Sequence, residues 1–409
     1  MASIEQKIGN AILTKIRSRR EETAAPESDS EGSPSLVRAK VREAQFSDYE
    51  AITDLKQRYG LVPDPLENWE HLWRHNPALK HAAAKRAIGW VAEAEGRIVG
   101  YLGSISSTYR FGDKTLTAVI GSGFVAEPAY RAHTVRLMGA FYAQKSVDLY
   151  ISTTAVEATG KIACAFGCEP MPQKDYETVM FWVLRPYPFF QTVMKKLQIK
   201  PALSSVLGPL GAVGVGMDKL LRRRWPRRPA KAFTVSEIKA GAIGEEFENL
   251  WKEKLGEGTR LLADRSVETM RWHYDLPQDR AKTSVICCRK QGQLLGYLVI
   301  RDEVGQTNGS RRSLVADMLV RQDDPEILRT LIVTAYKHAK HAGSHVLEVQ
   351  GFPAHIRRLC AQWNPYMRSF PATPFYYKGA VPALHKTLAD GEAWYGTPFD
   401  GDTTLMPEL

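Results

Sequence analysis

Residues 127–144 read EPAYRAHTVRLMGAFYAQ and follow directly on the apolar run LTAVIGSGFVA at 116–126. A strand therefore feeds a helix: Leu137, Met138 and Phe141 recur at helical spacing, and Pro128 sits in the turn between. The first turn of such a helix offers unpaired backbone N–H groups and the positive end of the helix dipole, which suits a pyrophosphate. Turns that cradle phosphate usually carry glycine, because a Cβ holds the backbone away from the anion. This one has none between Glu127 and Met138, and brings Arg131 and Arg136 instead.

Upstream, from Leu36, the text reads as a strand, a helix at FSDYEAITDLKQRYG (46–60), a second helix at LENWEHLWRH (66–75) and a hairpin at 88–111 closed by Glu95-Gly96-Arg97. Downstream come a strand at VDLYISTTA (147–155), a helix at EATGKIACAFG (157–167) and a closing strand at YETVMFWVL (176–184). Residues 233–380 repeat this order, and letters recur with it. RIVGYLGSI at 97–105 answers QLLGYLVI at 293–300, RHNP at 74–77 answers YDLP at 274–277, and ACAFGCEP at 163–170 answers LCAQWNP at 359–365. The shared offset of about 200 residues marks one supersecondary unit used twice.

At 409 residues, 44% hydrophobic and 24% charged, the chain is long enough for two domains plus smaller pieces. A net charge of +10 calls for an anionic partner: a phosphorylated cofactor, nucleic acid or an acidic membrane surface. Five cysteines, an odd number, and no signal-peptide pattern fit a reducing cytoplasm. Cys287 and Cys288 are strand neighbours that point to opposite faces and form no disulfide.

Two segments fall outside the repeats. Residues 1–35 pair a short basic amphipathic helix, with Ile4, Ile8, Ile12 and Ile16 in step, with an acidic Ser/Pro-rich tether. Residues 186–232 hold an uncharged stretch, Pro201 to Met217, that is too short and too interrupted at Gly208-Pro209 to span a bilayer. Arg222, Arg223, Arg224, Arg227 and Arg228 then surround Trp225, a composition expected at anionic headgroups. The expected division is thus 1–35, a first repeat at 36–185, the insert at 186–232, a second repeat at 233–380 and a tail at 381–409.

The order strand, two helices, hairpin, strand, loop, helix, strand, helix, strand resembles the GNAT superfamily of acyl-CoA-dependent N-acyltransferases. Val125, Pro128, Tyr130, Arg131, Leu137 and Met138 fit the outline of that family's cofactor loop, with Thr134 and Arg136 in its two glycine places. The resemblance implies an α/β fold of mixed sheets in two tandem domains, with acetyl-CoA or a longer acyl-CoA as donor. It also implies a CoA site at Arg131, His133, Thr134, Val135 and Arg136, and an oxyanion-binding N–H near Phe124 or Val125. The family's usual acid, a tyrosine four residues before a glycine, is replaced by Ala163 ahead of Gly167. More narrowly, the double repeat, the Arg-rich insert and the tail AWYGTPFDGDTTL (393–405) resemble tandem GNAT proteins of bacterial exopolysaccharide and cellulose production.

Acyl transfer to an amine needs a base. Glu157 opens the helix after the loop, where a carboxylate either serves catalysis or complements the helix dipole. Asp317 and Glu348 lie in apolar strands expected to be neighbours, where a carboxylate is costly to bury alone, so they are candidates for a base or an amine-binding pair. Asp323 and Asp324, in the second copy of the loop, would repel pyrophosphate and make that repeat the structural or substrate-side half. No metal-ligand pattern accompanies the cysteines or histidines. The resulting expectation is an acyl-CoA-dependent transferase acting on a sugar or polysaccharide precursor, cytoplasmic and peripheral at an inner membrane. A FemAB-like aminoacyl transferase, whose donor is an RNA, stands as one alternative. A degenerate GNAT-fold interaction module of a polysaccharide synthase is the other. Oligomeric state is open.

Overall fold

A computed structural model describes residues 38–80, 86–199, 201–227, 232–276, 281–305, 309–369 and 375–405, with 201–207 in backbone only. The basic N-terminal segment and its tether, Arg228 and the last four residues of the tail lie outside the described residues.

The first repeat runs β1 (Lys40–Glu43), α1 (Tyr49–Arg58), α2 (Leu66–Arg74), α3 (Pro77–Lys80), β2 (Gly89–Ala94), β3 (Arg97–Phe111) and β4 (Lys114–Ala126). It continues through α4 (Thr134–Tyr142), β5 (Leu149–Ser152), α5 (Glu157–Ala165), β6 (Glu169–Pro170) and β7 (Thr178–Val183). Two helices, α6 (Pro186–Lys196) and α7 (Pro201–Leu221), follow. The second repeat is β8 (Thr234–Ile238), α8 (Glu245–Leu255), β9 (Leu261–Ala263), α9 (Val267–Tyr274), β10 (Thr283–Lys290), β11 (Gln293–Val304) and β12 (Arg311–Val320). Then come α10 (Pro325–His341), β13 (Val346–Gln350), α11 (Ala354–Ala361), β14 (Tyr366–Ser369), β15 (Tyr376–Gly379) and α12 (Pro382–Leu388).

The expected hairpins form in both copies, β2–β3 and β10–β11. Each turns through a residue pair at positive φ, Glu95-Gly96 (51° and 73°) and Gln291-Gly292 (50° and 83°), the backbone that matches strand twist. Tyr101 and Tyr297, in equivalent places on β3 and β11, are both fully buried. Helices α2 and α9 meet across the pair of repeats: Trp272 donates its indole N–H to the His71 carbonyl at 3.1 Å, and His71 Nε2 lies 2.9 Å from the Trp272 carbonyl.

The repeats exchange their closing strands. One sheet has the order β1-β2-β3-β4-β5-β15-β6, with β9 also pairing β3; the other runs β14-β7-β13-β12-β11-β10-β8. Strand β7, which ends the first repeat, pairs with β13 and β14, while β15 from the second pairs with β5 and β6. One apolar core therefore spans both copies, running from Leu55 and Trp69 through Trp182 to Trp363 and Leu405. Unfolding either repeat alone would strip a central strand from the other, so the two are tied into one cooperative unit.

Polar pins hold helices to sheets. His338 on α10 sits 3.0 Å from Glu237 of β8 and 3.0 Å from Asp302 of β11, a bridge between two carboxylates. The Asp302 hydrogen bond, with help from Glu237 and against partial burial, raises the imidazole pKa above its ordinary value. A raised folded-state pKa means the stabilisation is fully present below about pH 6.5 and is lost as pH rises through the folded value. His338→Gln is accordingly expected to flatten the decline in melting temperature as pH rises above about 6.5, measured as the difference between wild type and variant. An unchanged slope would show that the bridge does not titrate with folding.

Candidate functional site

Strand β4 continues past its parallel partner. Pairing with β5 ends at Ile120↔Ile151, and the two strands then separate. On the other edge of β4, Tyr101↔Val125 and Gly103↔Ser122 show three steps on β4 answered by two on β3, a bulge in which Gly123 takes φ +63°. A bulge leaves a residue out of the ladder and bends the strand. The gap is a cleft lined by Ser122, Gly123 and Phe124 of β4, Ser152 of β5, Thr154, Ala155, Val156 and Thr159 beyond it, and Met138, Phe141 and Tyr142 of α4.

Lys56 of α1 also lines the cleft. Its ammonium pairs with Asp64 at 2.9 Å, both side chains being nearly inaccessible. A Cβ on Gly123 would sit 3.2 Å from Lys56 Nζ, so the cation lies directly against the bulge. Among the described residues this is a buried positive charge beside the place where strand pairing fails. The sequence offered no periodic signal for it.

Helix α4 brings its N-terminus to this region without a side-chain cap. Thr134 does not reach outward: its hydroxyl donates to the Arg131 carbonyl at 2.6 Å, stabilising the preceding turn. Arg131, Val135 and Arg136 are exposed, and His133 is buried with its ring 6.3 Å from Tyr130. Phe124 lines the cleft and Val125 is buried opposite Tyr101. The anticipated donor-site residues thus fall into an exposed basic group around the helix start and a backbone group at the bulge.

The second copy of the same place is closed. Asp324 caps α10, accepting from the N–H groups of Glu326 at 2.8 Å and Ile327 at 3.2 Å. Asp323 is bound by Lys254 at 2.6 Å and Arg260 at 2.9 Å. Strand β12 carries the equivalent bulge, where Val299↔Asp317 gives way to Ile300↔Val315. There the C-terminal tail lies against the strand: Tyr395 donates to the Met318 carbonyl at 2.8 Å and Thr397 Oγ1 to Asp317 at 2.9 Å.

Asp317 is therefore sealed, and its expected use as a base or amine ligand gives way to an ion pair. Arg265 grips both its oxygens at 3.0 Å, and Tyr297 donates to it at 3.0 Å, all without solvent exposure. Strands β12 and β13 are neighbours as anticipated, but Glu348 on β13 is held by Arg368 at 2.8 Å and approached by Arg312 at 3.8 Å. Glu157 stands at the surface in an i,i+4 pair with Lys161 at 3.0 Å. The three carboxylates are not brought together.

A fourth carboxylate, which sequence reasoning missed, lies behind the cleft. The tail from Trp394 to Leu405 is almost wholly buried and crosses from the second repeat to the first. It ends with Asp402 accepting from Thr153 Oγ1 at 2.6 Å and Thr154 Oγ1 at 3.0 Å, while its own N–H donates to Thr153 at 3.0 Å. Gly401 makes the approach at φ +81°, with a would-be Cβ 2.3 Å from the Thr153 methyl. Burial raises the Asp402 pKa above its ordinary value, and the hydroxyls of Thr153, Thr154 and Ser122 oppose that rise.

No protein-family model and no curated protein matches the chain. Solved structures do. A GCN5-related N-acetyltransferase from Anabaena variabilis aligns at TM-score 0.54 with 9% identity, over 84% of this chain and 73% of its own. A probable N-acyltransferase from Enterococcus faecalis aligns at 0.53 with 10% identity, over 84% and 73%. Saccharomyces cerevisiae N-myristoyltransferase, with bound myristoyl-CoA, aligns at 0.52 with 12% identity, over 87% and 82%. At such identities the likeness is one of fold: two tandem GNAT-like domains in a mixed α/β arrangement.

Proposed function

We propose that the first repeat transfers an acyl group from acyl-CoA to an amine or hydroxyl, and that the second repeat supports it. The observation that carries this reading is the contrast between two equivalent helix starts. That of α10 is filled by the chain's own Asp324, whereas that of α4 has no side-chain cap and stands beside exposed Arg131 and Arg136. A 3-10 turn over Pro128–His133 runs directly into α4, but its start carries no capping carboxylate and is flanked by two exposed arginines, which favours a pyrophosphate. The neighbouring solved structures bearing the fold, one of them with bound myristoyl-CoA, support the same donor.

In this reading the acyl-bearing arm runs through the gap between β4 and β5. The amine lone pair attacks the thioester carbonyl, the C–N bond forms, and the C–S bond breaks with the electron pair leaving on sulfur. The bulge at Gly123 and the Lys56 ammonium supply positive charge where the carbonyl oxygen becomes negative. The proton lost by the amine passes to the hydroxyl of Ser122 or Thr154 and from there to Asp402, which acts through those hydroxyls. The proposed acceptor, a sugar or polysaccharide precursor, rests on the likeness of the insert and tail to tandem proteins of exopolysaccharide production.

Differential scanning fluorimetry tests the donor. Free CoA, acetyl-CoA or a longer acyl-CoA is expected to raise the melting temperature in proportion to its affinity. Arg131→Ala with Arg136→Ala is expected to weaken that affinity by about 10-fold or more, the scale of a hydrogen bond to a charged group. No shift with any CoA species would overturn the reading in favour of a non-catalytic module.

A further inference from the structure

Helix α7 turns an apolar face outward. Its exposed residues from Pro209 onward are Pro209, Leu210, Val213, Gly214, Met217, Leu220 and Leu221, while Asp218 and Lys219 lie half-buried on the other side. Leu210, Val213, Met217, Leu220 and Leu221 are between 58% and 76% exposed. At 100° per residue these five occupy an arc of about 100°, one unbroken stripe about 17 Å long. The opposite face is fixed to α6, where Gly208 and Gly211 admit Gln191 and Phe190 so closely that a Cβ would overlap them. Surface helices of proteins in water carry the reverse pattern.

Cations frame this stripe. Lys195 and Lys196 are exposed at the end of α6, and Arg222 and Arg223 are exposed directly after Leu221. The arginine cluster divides by role. Arg224 is buried, bonded to Asp218 at 2.6 Å and to the Asn364 carbonyl at 2.8 Å, with its guanidinium 4.2 Å from the Tyr366 ring. It anchors the end of the helix to β14 and leaves Arg222 and Arg223 at the surface. Exposed Met367 of β14 shares a groove with Leu221 and Arg222, carrying the apolar surface onto the adjoining strand edge. Among the described residues no helix is long and apolar enough to cross a membrane.

We infer that the α6–α7 hairpin is an in-plane docking surface for an anionic lipid bilayer. The stripe enters the boundary between headgroups and acyl chains, and Lys195, Lys196, Arg222 and Arg223 meet phosphate at its margin. Charge complementarity selects this occupant: a second copy of the same basic rim would meet its own repulsion. The inference goes beyond acyl transfer and stands whether or not CoA binds.

Co-sedimentation of the full chain with vesicles of phosphatidylglycerol and phosphatidylcholine, against phosphatidylcholine alone, tests it. Wild type is expected to bind the anionic vesicles at least about 10-fold better, with binding falling as salt screens the charges. Val213→Asp with Met217→Asp, and separately Arg222→Gln with Arg223→Gln, should each reduce binding about 10-fold or more. All four positions are exposed, so the aspartate variant should keep the wild-type melting temperature, and the glutamine variant should lose no more than the surface pair of Arg222 with Asp218 at 2.9 Å. The basic N-terminal segment is common to all three proteins, so differences between them belong to the hairpin. Equal binding to neutral vesicles, or undiminished binding by the aspartate variant, would overturn the inference. So would a lipid-free dimer in sedimentation velocity that the aspartate variant abolishes, since a second copy would then cover the stripe.

Discussion

Asp402→Asn is expected to lower acyl transfer by about 100-fold or more at neutral pH while leaving the melting temperature unchanged or slightly higher. The two readouts move apart for one reason. Asp402 is fully buried, and burial raises its pKa, so the native state binds a proton there more readily than the unfolded chain does. A raised carboxylate contributes stability below the unfolded value near pH 4 and loses it as pH rises through the folded value. At neutral pH its ionised form is a cost to the fold, and asparagine removes that cost while its carbonyl still accepts a hydroxyl. The same raised basicity lets the carboxylate draw a proton through Ser122 or Thr154 from the acceptor amine. The acid limb of kcat/KM should therefore lie above the ordinary aspartate value in wild type and vanish from the residual activity of the variant. Activity within a few-fold of wild type, with the acid limb intact, would remove Asp402 from the chemistry and leave it a tether for the tail.

Much of this arrangement was readable in advance, and the unread part shares a cause. The two repeats announced themselves because Gly-Tyr-Leu recurs on β3 and β11, each after a residue-glycine turn that a hairpin requires. The closed second loop was also legible, since Asp323 and Asp324 stand where phosphate would lie and the fold gives both to its own Lys254, Arg260 and N–H groups. The exchange of β7 and β15 was not, because each reads as an ordinary closing strand and nothing in its letters names the sheet it joins. The tail defeated reading for a related reason. Residues 394–405 have no helical or strand period, and their burial depends on a passage formed only when both repeats pack. Lys56 looked like one charge among several on α1, and its pairing with Asp64 arises from the chain's return after the helix. Local pattern carried the elements; contacts between distant segments decided which carboxylate came to lie behind the cleft.

Removing the carboxylate at position 317 is expected to cost about 3–5 kcal/mol of stability, the scale for breaking a buried ion pair by deleting one partner. Asp317 and Arg265 are both without solvent exposure. In Asp317→Ala the guanidinium keeps only the distant Asp400 at 3.9 Å, the Ala263 carbonyl, the Thr397 hydroxyl and the faces of Tyr395 and Phe399. Thr397 and Tyr297 lose an acceptor as well. Asp400 cannot take over fully, because it stands 3.9 Å from the guanidinium and already accepts from the Thr397 N–H. Replacing both ends, as in Asp317→Leu with Arg265→Met, should recover part of the loss, because no buried guanidinium is left without its partner, while Asp400, Tyr297 and Thr397 still lose theirs. Urea unfolding would measure all three proteins, and the single variant should show a lower midpoint with little change in slope. A base at this position would behave otherwise: turnover per folded molecule would fall about 100-fold even where the variant is fully native, and the double substitution would not restore it. Since the pair lies where the tail meets β12, its loss should loosen the tail along its whole length. Asp402 would then be less firmly held, and turnover would become more sensitive to temperature.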